Sequence, residues 1–148
     1  MGIYYAPPNK ALLEEMNVEM KKIIGKEVVC TSDNDEETAG RIFHVFTKKG
    51  RVCIASFKLA QMPGCCGLLV SYNSGVAPPF RNKGVASALH KIKIKMAKDW
   101  GYSAMMCTDI VGNKPQEKIL TKNKWATIAN FKNRHRTDND VAVRFLEI

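Results

Sequence analysis

Val76-Ala77-Pro78-Pro79-Phe80-Arg81-Asn82-Lys83-Gly84-Val85-Ala86-Ser87-Ala88-Leu89 is the stretch on which the fold of this chain turns. A strand runs into a turn that holds Gly84, and a helix begins within the same few residues. The small residues Gly84 and Ala86 let the backbone come close to a ligand. The N–H groups of the first helical turn have no partner within the helix and share the positive end of its dipole. Arg81 and Lys83 add charge, so the turn is a ready site for an anion. The dipole contributes only about 0.3–1 kcal/mol, so convergent N–H groups must supply much of any binding.

Elements on both sides follow the same logic. Downstream, Ala86–Trp100 is expected to be a helix, although His90-Lys91-Ile92-Lys93-Ile94-Lys95-Met96 alternates like a strand. Its length, its alanines and the stop at Gly101 decide for the helix, with Val85, Leu89, Ile92, Met96 and Trp100 on one face and Lys91, Lys95 and Lys98 on another. Ser103–Val111 reads as a buried strand. Lys114–Lys122 reads as a short helix capped by Asn113, with Pro115 in its first turn. Trp125–Phe131 and Val141–Glu147 then form a hairpin across Arg134–Asp140.

Upstream, Arg51–Leu59 and Cys66–Val76 make an antiparallel hairpin through Gln61-Met62-Pro63-Gly64. Asn9 caps a helix with a stripe of Leu12 or Leu13, Met16, Met20 and Ile23 or Ile24, stopped by Gly25. Between them, Ser32 followed by Asp35 resembles a cap. Ala39, Ile42, Phe43 and Phe46 recur at helical spacing up to Gly50, which favours a helix whose solvated start carries Asp33, Asp35, Glu36 and Glu37. A strand near Arg41–Thr47, turning at Lys48-Lys49-Gly50, is the alternative. The whole predicts a mixed α/β fold: one unit over residues 1–148, with a mostly antiparallel sheet flanked by helices.

Composition sets the outer limits. The chain has 148 residues, 23 Lys and Arg, 14 Asp and Glu, and a net charge of +9. Residues 1–74 carry nine basic and eight acidic side chains, whereas residues 75–148 carry fourteen and six. The second half is thus expected to face something anionic. No run is long and apolar enough for a membrane span, and no basic-then-apolar leader opens the chain, so a cytoplasmic location without a membrane is the default. Five irregularly spaced cysteines and three scattered histidines favour neither a disulfide framework nor a zinc site, and no metal is expected. Cys53 and Cys107 sit in apolar runs and are expected in the core.

The stretch quoted above resembles the acetyl-coenzyme A signature of the GNAT superfamily of N-acetyltransferases, an Arg or Gln followed by two residues, Gly, one residue, and Gly or Ala. Arg81, Gly84 and Ala86 match it, and Val76-x-Pro78 matches the usual end of the family's fourth strand. By that resemblance the amides of Asn82, Lys83, Gly84, Val85, Ala86 and Ser87 cradle the pyrophosphate of acetyl-coenzyme A. The backbone of Gly75 and Val76 pairs with the pantetheine arm, in a splay between the fourth and fifth strands. Asn113, the helix to Lys122 and Trp125 fall where the family has an Asn, a short helix and a Gly-Phe pair. The likeness covers residues 65–148.

Two departures bear on chemistry. Where the family often has a tyrosine that protonates the leaving thiolate, this chain has Leu120, and Lys124 replaces the Gly of the Gly-Phe pair. The stretch Cys66–Val76 also lacks a carboxylate that could act as a base. Tyr72, Asn73, Ser74 and Asp109 are left to border the acceptor, with Tyr72 and Asp109 as catalytic candidates.

The resemblance implies direct transfer of acetyl to a primary amine on a small molecule or protein, and it allows a homodimer. The six basic residues from Arg81 to Lys98 point to the phosphorylated cosubstrate. Lys114, Lys118, Lys122, Lys124, Lys132, Arg134 and Arg136 offer a platform for an anionic partner such as RNA or an acidic protein, or for the adenosine 3′-phosphate of the cosubstrate, with a solvated helix face and hairpin as the plain alternative. Two alternatives stand: a basic nucleic-acid-binding module, and a coenzyme A-binding protein without transferase activity.

Overall fold

The computed structural model of the protein describes residues 7–38, 40–132 and 139–148. Its elements run α1 (Lys10–Ile24), β1 (Val28–Asp35), β2 (Gly40–Thr47), β3 (Cys53–Gln61), β4 (Leu68–Val76), α2 (Val85–Asp99), β5 (Ala104–Ile110), α3 (Lys114–Lys122), β6 (Ala126–Lys132) and β7 (Asp140–Glu147). The strands form one sheet in the order β1-β2-β3-β4-β5-β7-β6. Every neighbouring pair is antiparallel except β4 and β5, which are parallel. Among the described residues no helix is long and apolar enough to cross a membrane.

α1 starts where Asn9 Oδ1 accepts the Ala11 amide at 2.8 Å, and stops at Gly25, whose N–H bonds back to the Lys21 carbonyl. It packs on α2 and β1. Met16 and Met20 of α1 are fully buried, as are Phe43 and Phe57 of the sheet, whose rings stack at 4.7 Å, and Met96 of α2. Each such side chain contributes about 1.5–3 kcal/mol by leaving water.

The helix expected between Ser32 and Gly50 is a hairpin instead, with β1 paired to β2 from Val28↔Thr47 to Asp35↔Gly40. Along β2 burial alternates: Arg41, Phe43, Val45 and Thr47 are buried, while Ile42, His44 and Phe46 are half-buried. The partly exposed face carries Ile42 and Phe46, so hydrophobicity fails to alternate where burial does. β-Branched and aromatic residues at five of the seven positions 41–47 fit a pleated surface better than a helix. The cap expected at Ser32 does not form: Ser32 lies within β1, and its Oγ accepts from Arg41 Nε at 3.0 Å. Asp35 closes a turn instead, Oδ1 accepting the Glu37 amide and Oδ2 the Thr38 hydroxyl. The acidic run therefore lies in a strand end and a turn.

Cys107 is buried as expected, whereas Cys53 is exposed, because it opens β3 opposite Phe46 where the register shifts. Ala39, Arg134, Arg136 and part of the expected turn Arg134–Asp140 lie outside the described residues.

Candidate active site

The site begins where two parallel strands part. β4 and β5 pair only over Leu68↔Ala104, Leu69↔Met105 and Val70↔Met106. Beyond Val70, β4 continues to Val76 with no strand along its β5 side, and Asn73 takes a left-handed φ of 49° just past the divergence. On its other edge β4 stays tied to β3, with Ser56↔Gly75 and Ala55↔Val76. A row of backbone N–H and C=O groups is thereby left open, the arrangement on which an extended ligand can pair like a strand.

At the end of β4 the chain makes a 3-10 turn over Pro78–Phe80. Arg81 Nε donates back to the Val76 carbonyl at 2.9 Å, which fixes the strand end. Gly84 then caps α2 at φ 90°, and a Cβ built there meets nothing within 4 Å. The first amide of α2 to find a carbonyl is that of Ala88, which bonds to Gly84 at 3.1 Å. Among the described residues, the amides from Asn82 to Ser87 donate to no protein acceptor. Free N–H groups thus converge at a helix N-terminus, as anion binding requires.

These amides open onto a cavity of about 990 Å³ between α2, α3 and the free edge of β4. Of the ten residues expected to hold the cosubstrate, all but Lys83 line it. Of the six basic residues from Arg81 to Lys98, Arg81 and Lys93 line this cavity. Lys91, Lys95 and Lys98 lie on the exposed face of α2, where Lys95 pairs with Glu15, so they do not converge on the turn. Facing the turn instead are Lys114, Lys118 and Lys122 of α3. Asn113 caps that helix, its Oδ1 accepting from the Gln116 amide.

A second cavity of about 320 Å³ adjoins the first and shares Ser74, His90, Lys93, Asn113 and Gln116 with it. Its walls draw on both faces of the sheet at the divergence. Tyr72 shares a face with Lys58, its partner in register, while Lys93 reaches in from α2. The Tyr72 hydroxyl bonds to Thr38 Oγ1 and donates to Asp35 Oδ2 at 3.3 Å, and Asp35 pairs with Lys58 at 3.2 Å. Burial holds the Tyr72 phenol above its ordinary pKa, while its bond to Thr38 opposes the shift. The Asp35 carboxyl is held below its ordinary value chiefly by the Thr38 hydroxyl, helped by Lys58. Asp109 is buried, and Arg144 grips both its oxygens, Nε to Oδ1 at 2.8 Å and Nη2 to Oδ2 at 3.2 Å. This brings Tyr72 and Asp109 to one cavity, each already held by a partner.

Two lining residues escaped the sequence. His90 Nε2 accepts from Trp125 Nε1 at 2.9 Å, and burial together with the Lys93 charge pushes its pKa down to about 4, so the ring is neutral. Lys93 is buried and bonds Ser74. Its signal was present but masked, since it is one of three lysines alternating with Ile92 and Ile94. A helical wheel places Lys93 beside Leu89 and Met96, on the inward face. Cys107 is also here, its thiol pushed up to about 11 by burial, which makes it a core residue and a poor nucleophile. Leu120 is fully buried in the core.

No protein-family model and no curated protein matches the chain. Solved structures do match its fold. A GNAT family acetyltransferase from Elizabethkingia anophelis with acetyl-CoA bound superposes at a TM-score of 0.67 and 17% identity, over 82% of this chain and 98% of that one. The IAA acetyltransferase from Bacillus cereus gives 0.64 and 15%, over 82% and 100%. A GNAT family acetyltransferase from Bacillus anthracis gives 0.60 and 16%, over 72% of this chain and 65% of that one, so the chain spans just under two thirds of its length. Seven strands in this order, with the parallel pair parting above a glycine-capped helix, give the chain the fold of the GNAT acetyltransferases.

Proposed function

We propose that the protein is an acetyl-coenzyme A-dependent N-acetyltransferase that moves acetyl directly to a primary amine on a small molecule or protein. The observation that carries this reading is the run of free amides from Asn82 to Ser87, at one end of a cavity whose other end reaches the gap between β4 and β5. A long ligand with phosphates at one end and an extended arm at the other fits that shape. The cosubstrate supplies an activated acyl group whose thiolate is a good leaving group.

The chain's own residues divide the remaining work. The amides around Gly84 take the pyrophosphate, and Lys114, Lys118 and Lys122 take a further phosphate across the cavity. The open edge at Gly75 and Val76 pairs with the amides of the arm. A main-chain N–H on that edge polarises the thioester carbonyl, a role that needs no particular side chain. The smaller cavity receives the acceptor between Tyr72 and Asp109. From it the chain Tyr72, Asp35, Lys58 leads protons towards the sheet surface. Direct transfer is supported by Cys107, the cysteine lining these cavities, whose thiol is pushed up to about 11 and is no activated nucleophile.

The test is release of free thiol from acetyl-coenzyme A on addition of a panel of primary amines: polyamines, amino sugars and lysine-bearing peptides. Amine-dependent release with matching mass gain on the amine supports the reading. Binding of acetyl-coenzyme A with no release for any amine would leave a coenzyme A-binding protein.

A further inference from the structure

Lys93 lies mid-way along α2 with 7% of its surface exposed, and it is the buried lysine among the described residues. Its Nζ donates to Ser74 Oγ at 2.7 Å and stands 4.9 Å from the centre of the Phe57 ring. Among the described residues it has no carboxylate partner. A buried ammonium held by one hydroxyl and a ring face is a costly arrangement for a helix that could carry leucine there. Burial pushes its pKa down to about 8.

Its place in the cavities accounts for that cost. Lys93 and Ser74 belong to the walls of both the larger and the smaller cavity, at the end of the larger one remote from the phosphate turn. On the function proposed above, the thioester sulfur lies at that junction. The other titratable groups lining the smaller cavity are committed: the Tyr72 hydroxyl bonds Thr38 and Asp35, and burial holds its phenol above the ordinary value. His90 is neutral, and its Nε2 already accepts from Trp125. Cys107 keeps its proton to about 11. Asp109 is gripped by Arg144, whose guanidinium that bond keeps charged. Lys93 alone of these holds a proton that it can both give and regain near neutral pH.

We propose that Lys93 is a catalytic residue, the general acid that protonates the departing sulfur of coenzyme A. The acceptor nitrogen attacks the carbonyl carbon, the N–C bond forms, and the C–S bond breaks with its electron pair on sulfur. Sulfur takes a proton from Lys93 Nζ. The acceptor reaches the neutral amine by losing one proton along the Tyr72 chain; on attack the nitrogen sheds a second, which restores the Lys93 ammonium through Ser74 Oγ or directly. Phe57 and Ser74 hold Nζ at the junction between turnovers.

Titration of the thiol of bound coenzyme A, followed by thiolate absorbance as a difference between liganded and free protein, tests the assignment without knowledge of the acceptor. In the wild type the bound thiol is expected to ionise at least about one unit below free coenzyme A, a tenfold larger thiolate fraction at a given pH, because thiolate and Lys93 ammonium form a pair in which each keeps the other charged. In Lys93→Met the depression disappears. In Lys93→Arg it persists while amine-dependent turnover falls at least tenfold, since a guanidinium keeps its proton.

Equal ionisation in wild type and Lys93→Met, or undiminished turnover in Lys93→Arg, overturns the assignment and leaves the transferase reading standing. Failure of the wild type to bind coenzyme A overturns both. Should Lys93→Met fail to fold, the wild-type titration against free coenzyme A decides: no depression means that Lys93 is not at the sulfur.

Discussion

Trp125 Nε1–H donates to His90 Nε2 at 2.9 Å, and both side chains are buried. This bond ties α2 to the corner between α3 and β6, so the two helices that wall the larger cavity are held at a fixed separation. Burial and the Lys93 charge keep His90 neutral, which leaves Nε2 free to accept this bond. Trp125→Phe leaves that nitrogen unpaired in the interior, at a cost of about 1–3 kcal/mol. The urea unfolding midpoint is expected to drop accordingly, and an unchanged midpoint would show that the bond does not hold the corner.

The same ring gives stability a pH dependence of definite sign. The folded pKa of His90 is about 4, below the ordinary 6.5, so between these values the unfolded chain binds more protons. Its contribution is present above about pH 6.5 and is lost as pH falls towards 4, by on the order of 3 kcal/mol. Urea unfolding across this window is expected to show the fall. Replacing His90 by Gln should flatten that part of the profile.

Lys93→Met tests the cost of the buried ammonium. With its folded pKa near 8 against an ordinary 10.5, Lys93 destabilises the fold below pH 8, and the penalty fades as pH rises from 8 to 10.5. The variant is therefore expected to melt higher than the wild type at pH 7, by up to roughly 3 kcal/mol of stability, and to converge with it near pH 10.5. A lower melting point at pH 7 would contradict the account.

Gly84→Ala places a Cβ at φ 90° in open space above the phosphate turn. Strain should cost about 1–2 kcal/mol. The larger effect is expected on the ligand, because the new methyl stands where the pyrophosphate approaches the amides. Calorimetry should show acetyl-coenzyme A affinity falling tenfold or more, with the circular dichroism spectrum unchanged.

Asp109→Asn separates the two roles of this carboxylate. Losing the charge opposite Arg144 costs about 1–3 kcal/mol in the unfolding midpoint. If Asp109 also draws the acceptor into the smaller cavity, KM for the amine rises several-fold while kcat changes little. A stability loss with unaltered KM would confine Asp109 to holding β5 against β7.

How far the sequence could be read depended on where residue type and burial agree. The strand, turn and helix around Gly84 were legible because small and basic residues, helix length and the stop at Gly101 all pointed one way. Residues 32–50 were not, since β2 carries apolar side chains on both faces, and Ser32 and Asp35, spaced as in a capping box, serve a strand and a turn. The cationic wall was legible only in part. Counting charge from Arg81 to Lys98 ignores that Lys91, Lys95 and Lys98 are exposed, while the choice of Lys114, Lys118 and Lys122 for a cosubstrate phosphate over another anionic partner needs the fold, which sets them on the same cavity as the turn. Lys93 was hidden among lysines that do not share its burial.

Thermal melting with acetyl-coenzyme A addresses the central claim most directly, because a ligand that binds only the folded state must raise the midpoint. At a hundredfold excess over Kd the stabilisation is about 2.7 kcal/mol, which for a chain of this size corresponds to roughly 5–10 °C. The account predicts a shift of that order, abolished or sharply reduced in Gly84→Ala. No shift at millimolar ligand would contradict it.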